Sequence, residues 1–264
     1  MQSNPCRQCG KPVPPGHRFC GYCGGKAEDV KPKVKGSGAP ETMVFDASPV
    51  KRKARLVLLR GSGGDGASYY LNSTEHVCGR SQGTILFPDD PSVSPRQCNF
   101  VYRNGHLYVI DEGSANGTYI RLRGRIPLTD GDRFVCGEQM FDFRLFPETI
   151  GEQLVGDTTF SGTPMLWPWR YQLCQVLTRG RSGEVRCVES GDITVGREDC
   201  DLNFPHDRFM SHQHSRVVCA EGGQCFLEDA GSKNGTYYRI RDEVGLQNGD
   251  YLFLGKQLVR VEIT

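Results

Sequence analysis

From Leu56 onward the chain alternates apolar and polar residues with a period of two, in short runs. In its first half these are Leu56–Leu59, Tyr69–Leu71, Thr84–Leu86, Asn99–Tyr102, His106–Ile110, Tyr119–Leu122 and Phe141–Phe146. Clusters of Gly, Asn, Asp and Pro separate the runs, and Asn104-Gly105 is a two-residue hairpin signal. A period of two puts successive side chains on opposite faces of a strand, so one face of each run suits burial. No stretch sustains a helical period. Seven or more short strands at this spacing predict an all-β sandwich.

The same succession then returns. Gly79-Arg80 recurs as Gly196-Arg197 and Ser94 as Ser211, each 117 positions on. Asn116-Gly117-Thr118-Tyr119 recurs 118 positions on as Asn234-Gly235-Thr236-Tyr237. So does Gly131-Asp132, with Gly137 and Gln139 beyond, as Gly249-Asp250 with Gly255 and Gln257. A near-constant offset marks a tandem duplication. Residues 54–150 and 169–264 are therefore expected to be two sandwiches, joined by a connector at 151–168 that runs into Trp167-Pro168-Trp169.

The recurring residues lie just outside the apolar runs, where strand ends converge and loops carry chemistry. Arg presents a fixed fork of donors that matches a phosphate, and Ser and Asn add donors for the phosphate and for a peptide bearing it. No nucleotide-binding loop, kinase catalytic loop or Ser-His-Asp ordering is present, so binding without catalysis is expected. Taken singly, Gly-Arg is a common turn and Asn-Gly a hairpin signal. Joint order and spacing, found twice, carry the reading.

The N-terminal segment follows other rules. Cys6-x-x-Cys9 and Cys20-x-x-Cys23, ten residues apart, can present four thiolates tetrahedrally to one structural Zn²⁺. Residues 1–26 are too short for a core, so a metal must supply their folding energy, about 10–16 kcal/mol for such peptides. Residues 27–53 read as an extended, solvated linker. One apolar island interrupts it, Glu41-Thr42-Met43-Val44-Phe45-Asp46, with Thr42 as a candidate phosphorylation site and an edge-strand patch as the plainer alternative.

Totals narrow the choices. Lys and Arg number 32 against 31 Asp and Glu, which argues against a bulk electrostatic grip on nucleic acid. A nucleic-acid regulator using the zinc ribbon and the basic run Lys51–Arg55 remains an alternative, as does a structural subunit with no phosphate dependence. No apolar run approaches the roughly 20 residues of a membrane span, and no secretory signal opens the chain. Of the 12 cysteines, the eight outside the ribbon are expected to be reduced core or edge thiols, in a cytoplasmic protein.

Gly-Arg, Ser-x-x-His and Asn-Gly-Thr, spread over about a hundred β-rich residues, resemble the forkhead-associated (FHA) domain. The likeness is strong for 169–264 and good for 54–150. It implies two tandem β-sandwiches that bind phosphothreonine peptides through loops at one end. By that resemblance Arg197 would pair with the phosphate, Ser211 would donate to it, and Asn234 would hold the peptide backbone. His214 would brace the loop, Gly196 and Gly235 would serve backbone geometry, and His212 and Lys233 could add donors. In the first copy Arg80, Ser94, Asn116, Gly79 and Gly117 hold the matching positions. There Gln97 replaces the bracing His, and Pro91 and Pro95 stiffen the loop, which leaves that site's competence open. Residues 3–25 resemble short zinc ribbons of bacterial regulatory proteins. The resemblance implies a signalling adaptor whose partner is a threonine-phosphorylated protein, a Ser/Thr kinase or its substrate. Phosphorylated Thr42 entering the Arg197–Ser211 pocket would add self-regulation.

Overall fold

A computed structural model describes residues 4–6, 8–13, 23, 54–60, 64–146, 154–155, 158–159, 169–220 and 222–264. Among these the structure is strands, turns and one short 3₁₀ turn, and no helix is long and apolar enough to cross a membrane.

Ten strands come from the first repeat. They are β1 (Ala54–Leu59), β2 (Asp65–Leu71), β3 (Glu75–Gly79), β4 (Ile85–Leu86), β5 (Cys98–Arg103), β6 (His106–Asp111), β7 (Thr118–Arg121), β8 (Ile126–Leu128), β9 (Arg133–Cys136) and β10 (Gln139–Leu145). Ten more come from the second. They are β11 (Tyr171–Val176), β12 (Ser182–Val188), β13 (Ile193–Gly196), β14 (Leu202–Asn203), β15 (Gln213–Cys219), β16 (Cys225–Asp229), β17 (Thr236–Arg239), β18 (Glu243–Gly245), β19 (Tyr251–Leu254) and β20 (Gln257–Ile263). Asn104-Gly105 does close a two-residue hairpin between Arg103 and His106, both turn residues having positive φ. The corresponding tip between Ala220 and Gln224 is one residue longer, which is where the offset changes from 117 to 118.

Pro49–Thr264 is one compact unit, and its two sandwiches are not the two repeats. A ten-stranded sheet runs β12-β11-β10-β9-β17-β7-β19-β20-β1-β2. One five-stranded sheet runs β18-β6-β5-β3-β4 and the other β8-β16-β15-β13-β14. Each repeat thus sends its last three strands into the other. Strands β8–β10 complete the second sandwich, and β18–β20 complete the first. The expectation that 54–150 and 169–264 each close on themselves is corrected accordingly.

The cores show the same exchange. Phe134, Phe141 and Phe143 are fully buried among Tyr171, Leu173, Ile193, Val195, Val217 and Leu227. Leu252, Leu254, Val259 and Val261 are fully buried among Leu56, Leu71, Phe100 and Val109. Each such side chain contributes about 1.5–3 kcal/mol of burial, so the exchanged segments are integral to the fold.

The chain crosses over because the segments after β7 and β17 run straight on. Leu122 N donates to Thr236 O at 2.8 Å and Ile240 N to Thr118 O at 2.9 Å, so neither strand turns back. Between them β7 and β17 pair antiparallel, with Ile120 opposite Tyr238, its own counterpart in the repeat. That pairing is a local two-fold axis. Ion pairs pin both crossings, Arg123 with Asp250 and Arg241 with Asp132 (2.6 Å). Buried Asp207 accepts from Glu138 N (2.7 Å) and Gln139 Nε2 (2.9 Å), and buried Asp90 accepts from Lys256 N (2.8 Å) and Gln257 Nε2 (2.7 Å). Each exchanged hairpin is thus held at root and tip.

The cysteine expectation also needs correcting. Cys219 and Cys225 stand opposite each other in the β15–β16 register and form a disulfide, with Cα atoms 4.1 Å apart. The other six scattered cysteines are free thiols. The cysteine pattern therefore no longer argues for a reducing compartment. Burial pushes the Cys136 thiol up to about 12, which keeps it protonated and inert.

Of the N-terminal unit, Asn4–Pro5 pairs with Pro12–Val13. Residues 154–155 and 158–159 of the connector form a second short pair. Cys20, Thr42 and Trp167-Pro168 lie outside the described residues.

Candidate functional site

Three loop segments build each site. Gly79 and Gly196 end β3 and β13, and there the backbone of the next loop comes very close. A Cβ on Gly79 would meet Pro95 O at 2.2 Å, and one on Gly196 would meet His212 O at 2.1 Å. Only glycine permits that approach. It lets Arg80 N donate to Ser94 O (2.8 Å) and Arg197 N to Ser211 O (2.9 Å), so each arginine starts from a fixed backbone.

The serine and asparagine are fixed in the same way in both copies. Ser94 Oγ accepts from Ala115 N at 2.9 Å, and Ser211 Oγ accepts from Lys233 N at 3.1 Å. With the oxygen already accepting, the hydroxyl hydrogen remains to be donated outward. Asn116 Nδ2 donates to Ser92 O and Asn234 Nδ2 to Phe209 O, both at 2.8 Å, which leaves each Oδ1 an acceptor for a peptide N–H.

Behind the loops lies a buried brace. His214 is fully buried; its Nδ1 accepts from Ser211 N (3.1 Å), so its Nε2–H donates to Gly235 O (3.0 Å). Gln97, equally buried, reproduces this atom for atom. Its Oε1 accepts from Ser94 N (2.9 Å) and its Nε2 donates to Gly117 O (2.9 Å), with a further bond to Ser114 Oγ (2.9 Å). Burial holds the His214 pKa below its ordinary value, against the pull of the Gly235 carbonyl and of Asp229. The brace works only when the imidazole is neutral, because a charged ring would turn two N–H donors toward each other.

Beneath the Asn-Gly turns lies an acidic network with no counterpart in the sequence expectations. Asp111 accepts from Ser114 N (2.9 Å), Ser114 Oγ (2.7 Å) and Thr118 Oγ1 (2.7 Å). Asp229 accepts from Ser232 N (2.8 Å), Ser232 Oγ (2.7 Å) and Thr236 Oγ1 (2.7 Å). Burial would raise the Asp229 pKa, but these bonds bring it below the usual carboxylate value. The signal that could have found them was on hand, since both triads recur at the same offset of 118.

The rims differ. Lys233 is exposed beside Asn234, and His212 faces Asp199 at 3.5 Å; the first copy has Ala115 and Pro95 there. Arg197 Nε lies 3.6 Å from Glu198, a half-exposed pair that a dianion could displace. Arg80 is exposed. Each site thus gathers a guanidinium, an outward hydroxyl and an amide on a braced rim, an arrangement suited to a phosphate dianion on an extended peptide.

A family model described as FHA domain matches residues 76–137 and 193–255. The oxoglutarate dehydrogenase inhibitor of Corynebacterium diphtheriae is 32% identical over 115 residues, 43% of this chain and 80% of that protein. The chain belongs to the FHA family. The inhibitor of Corynebacterium efficiens is 34% identical over 113 residues, 42% of this chain and 78% of its own. Glycogen accumulation regulator GarA of Mycolicibacterium smegmatis is 32% identical over 98 residues, 36% and 61%. Among solved structures, the FHA domain of the CT664 protein of Chlamydia trachomatis is 25% identical over 35% of this chain and 97% of its own, with a TM-score of 0.22. Another, from work on phosphothreonine-dependent FHA domain interactions, is 13% identical over 80% and 97%, with a TM-score of 0.32. Each FHA match runs through β3–β7 and on into β8 and β9, or through their second-repeat counterparts, and so spans both sandwiches.

In the N-terminal unit, the thiols of Cys6, Cys9 and Cys23 lie within 4.8 Å of one another. Gly10, at φ +71°, donates its N–H to Cys6 O at 2.7 Å, and Cys6 N donates to Lys11 O at 2.8 Å. Three convergent thiols on such a knuckle turn are a donor set that fits Zn²⁺.

Proposed function

We propose that this FHA protein is a non-catalytic adaptor that reads phosphothreonine on a Ser/Thr kinase or its substrate, in the cytoplasm, with both sites competent. One observation carries this reading: the same arginine, outward hydroxyl and bridging asparagine are assembled twice, on equivalent braces, although the bracing residue differs. The relatives' names are in keeping with it, since one is called an inhibitor of oxoglutarate dehydrogenase and another a regulator of glycogen accumulation.

The two Asn-Gly turns sit at opposite ends of the β7–β17 pair. At about 3.3 Å per residue they lie roughly 20 Å apart, so two bound phosphothreonines would be held at a fixed spacing. Each charge-assisted hydrogen bond to phosphate is worth about 1.5–3 kcal/mol. Arg197→Ala is therefore expected to cost the second site at least about tenfold in affinity, Arg80→Ala the first, and the double substitution to abolish phosphopeptide binding. Titration of each variant with a library-selected phosphothreonine peptide tests this. Binding that survives phosphatase treatment of the peptide, or the double substitution, would overturn it.

Cys6, Cys9 and Cys23, with Cys20, would hold one structural zinc ion, which supplies folding energy to its own unit and no chemistry to the FHA sites. Metal content well under one zinc per chain would end that proposal. Phosphorylated Thr42 is proposed as a tethered ligand of the Arg197–Ser211 site, at roughly millimolar effective concentration. A Thr42 phosphopeptide that fails to compete at that site would exclude it.

A further inference from the structure

The exchange brings one more residue to each site. Arg121 ends β7 in the first repeat, yet its side chain lies against Gly235 of the second site. A Cβ on Gly235 would meet Arg121 Nε at 2.0 Å and Cζ at 2.7 Å. Arg239 ends β17 in the second repeat and lies against Gly117 of the first site, where a Cβ would meet its Nε at 2.5 Å. Arg239 Nη2 also donates to Ser114 O at 3.4 Å, at the start of that turn. The two arginines are counterparts across the local two-fold axis, 118 positions apart.

Each Asn-Gly turn is therefore clamped from two sides. On one side its carbonyl accepts from the brace of its own repeat, His214 at Gly235 and Gln97 at Gly117. On the other side it packs on a guanidinium of the opposite repeat. Gly235 and Gly117 have φ of +85° and +88°, which by itself favours glycine. The absent Cβ also makes room for the arginine. Asn234 and Asn116, the residues that reach for the peptide backbone, sit one position before these glycines.

We infer that Arg121 and Arg239 are positioning residues, each setting the Asn-Gly turn of the phosphopeptide site that belongs to the other repeat. This deepens the proposed function and rests on it for the ligand. Arg121 is held over the ring of Tyr251 at 5.5 Å, another second-repeat side chain, so its aim is fixed by the exchange.

The test uses the full chain in two single-site backgrounds. In Arg80→Ala only the second site binds the library-selected phosphothreonine peptide, and in Arg197→Ala only the first. Arg121→Ala is expected to weaken binding about three- to tenfold in the Arg80→Ala background and to leave the Arg197→Ala background unchanged. Arg239→Ala is expected to do the reverse. Thermal melting of all four proteins separates positioning from general destabilisation, which would weaken both sites together. Each arginine acting on its own repeat's site, or on neither, would overturn the inference.

A ligand-free measurement decides the matter even if no peptide binds, an outcome that would sink the phosphothreonine reading alone. Gly235 N–H donates to Ser232 Oγ at 2.8 Å and Gly117 N–H to Ser114 Oγ at 3.0 Å. Arg121→Ala is expected to speed amide exchange at Gly235 and not at Gly117, and Arg239→Ala the converse. Unchanged exchange at both glycines would refute the clamp.

Discussion

The two candidate phosphopeptide sites of this chain are one geometry written with different residues. In the second site a neutral imidazole accepts from Ser211 N and donates to Gly235 O; in the first a carboxamide does both, toward Ser94 N and Gly117 O. The brace therefore requires one acceptor and one donor at a fixed separation, buried beneath the loop, and not a histidine as such. Outside the brace the sites diverge. The second carries Lys233 and His212 at its rim and a disulfide at the tip of its central hairpin; the first has Ala115, Pro95 and a two-residue turn.

The strongest way to break this comparison acts through the exchange. Phe141 belongs to the first repeat but is buried in the core under the second site. Phe141→Ala is expected to cost about 3–5 kcal/mol and to weaken the second site while sparing the first. Its counterpart, Val259→Ala, should strike the first site by a smaller amount. Denaturant unfolding together with peptide titration in the two single-site backgrounds would read both effects, and equal loss at both sites would contradict the exchanged cores.

Acid should separate the sites next. The folded His214 pKa lies below the ordinary 6.5, so the folded state holds fewer protons than the unfolded one as pH falls. The brace's contribution is complete above about 6.5 and is lost as pH drops from there through the lower folded value, at most about tenfold per pH unit for one proton. Folding stability is what falls across that window. Peptide affinity of the second site is expected to fall, relative to the first where Gln97 does not titrate, only as pH drops through the folded His214 value and the buried imidazole takes up its proton. Gln97→His should confer the same acid sensitivity on the first site, and His214→Gln should remove it from the second. Affinities measured at a series of pH values with both swaps check the assignment.

The smallest effect sharpens the rim. Lys233 is exposed, so Lys233→Ala is expected to cost about two- to fivefold in affinity at low salt, and less at high salt. Titrations at two ionic strengths would show it, and the first site, with Ala115, should lack that part of the salt dependence.

Much of this was legible in the chain. Period-two runs and the repeat offset marked the strands, and Arg197, Ser211 and Asn234 marked one rim, because each depends on a local loop at a strand end. The partner of each strand was not legible. A strand's pattern specifies which face is buried, and β9 with β10 buries the same face against β11 as it would against β1. Choosing between those two partners rests on the crossings after Leu122 and Ile240 and on the pins at Asp132, Asp250, Asp90 and Asp207. The repeat itself displayed all four aspartates, but a sequence shows a matched residue without showing which copy it serves. Arg121 and Arg239 were missed for the same reason. The Cys219–Cys225 bond was missed because it depends on the register of the β15–β16 hairpin, which a one-residue difference in turn length would change.

The reciprocal exchange also bears on how such a gene can change. An ordinary tandem duplication leaves a spare, which can decay, be deleted or be moved to a new protein. Here a lesion in either copy damages the interior of the other. A copy whose ligand has vanished still supplies strands to its neighbour, and a premature stop between the two takes β18–β20 away from the first sandwich. Once these halves had traded their final strands, the doubling could be undone only if the surviving half took its own strands back.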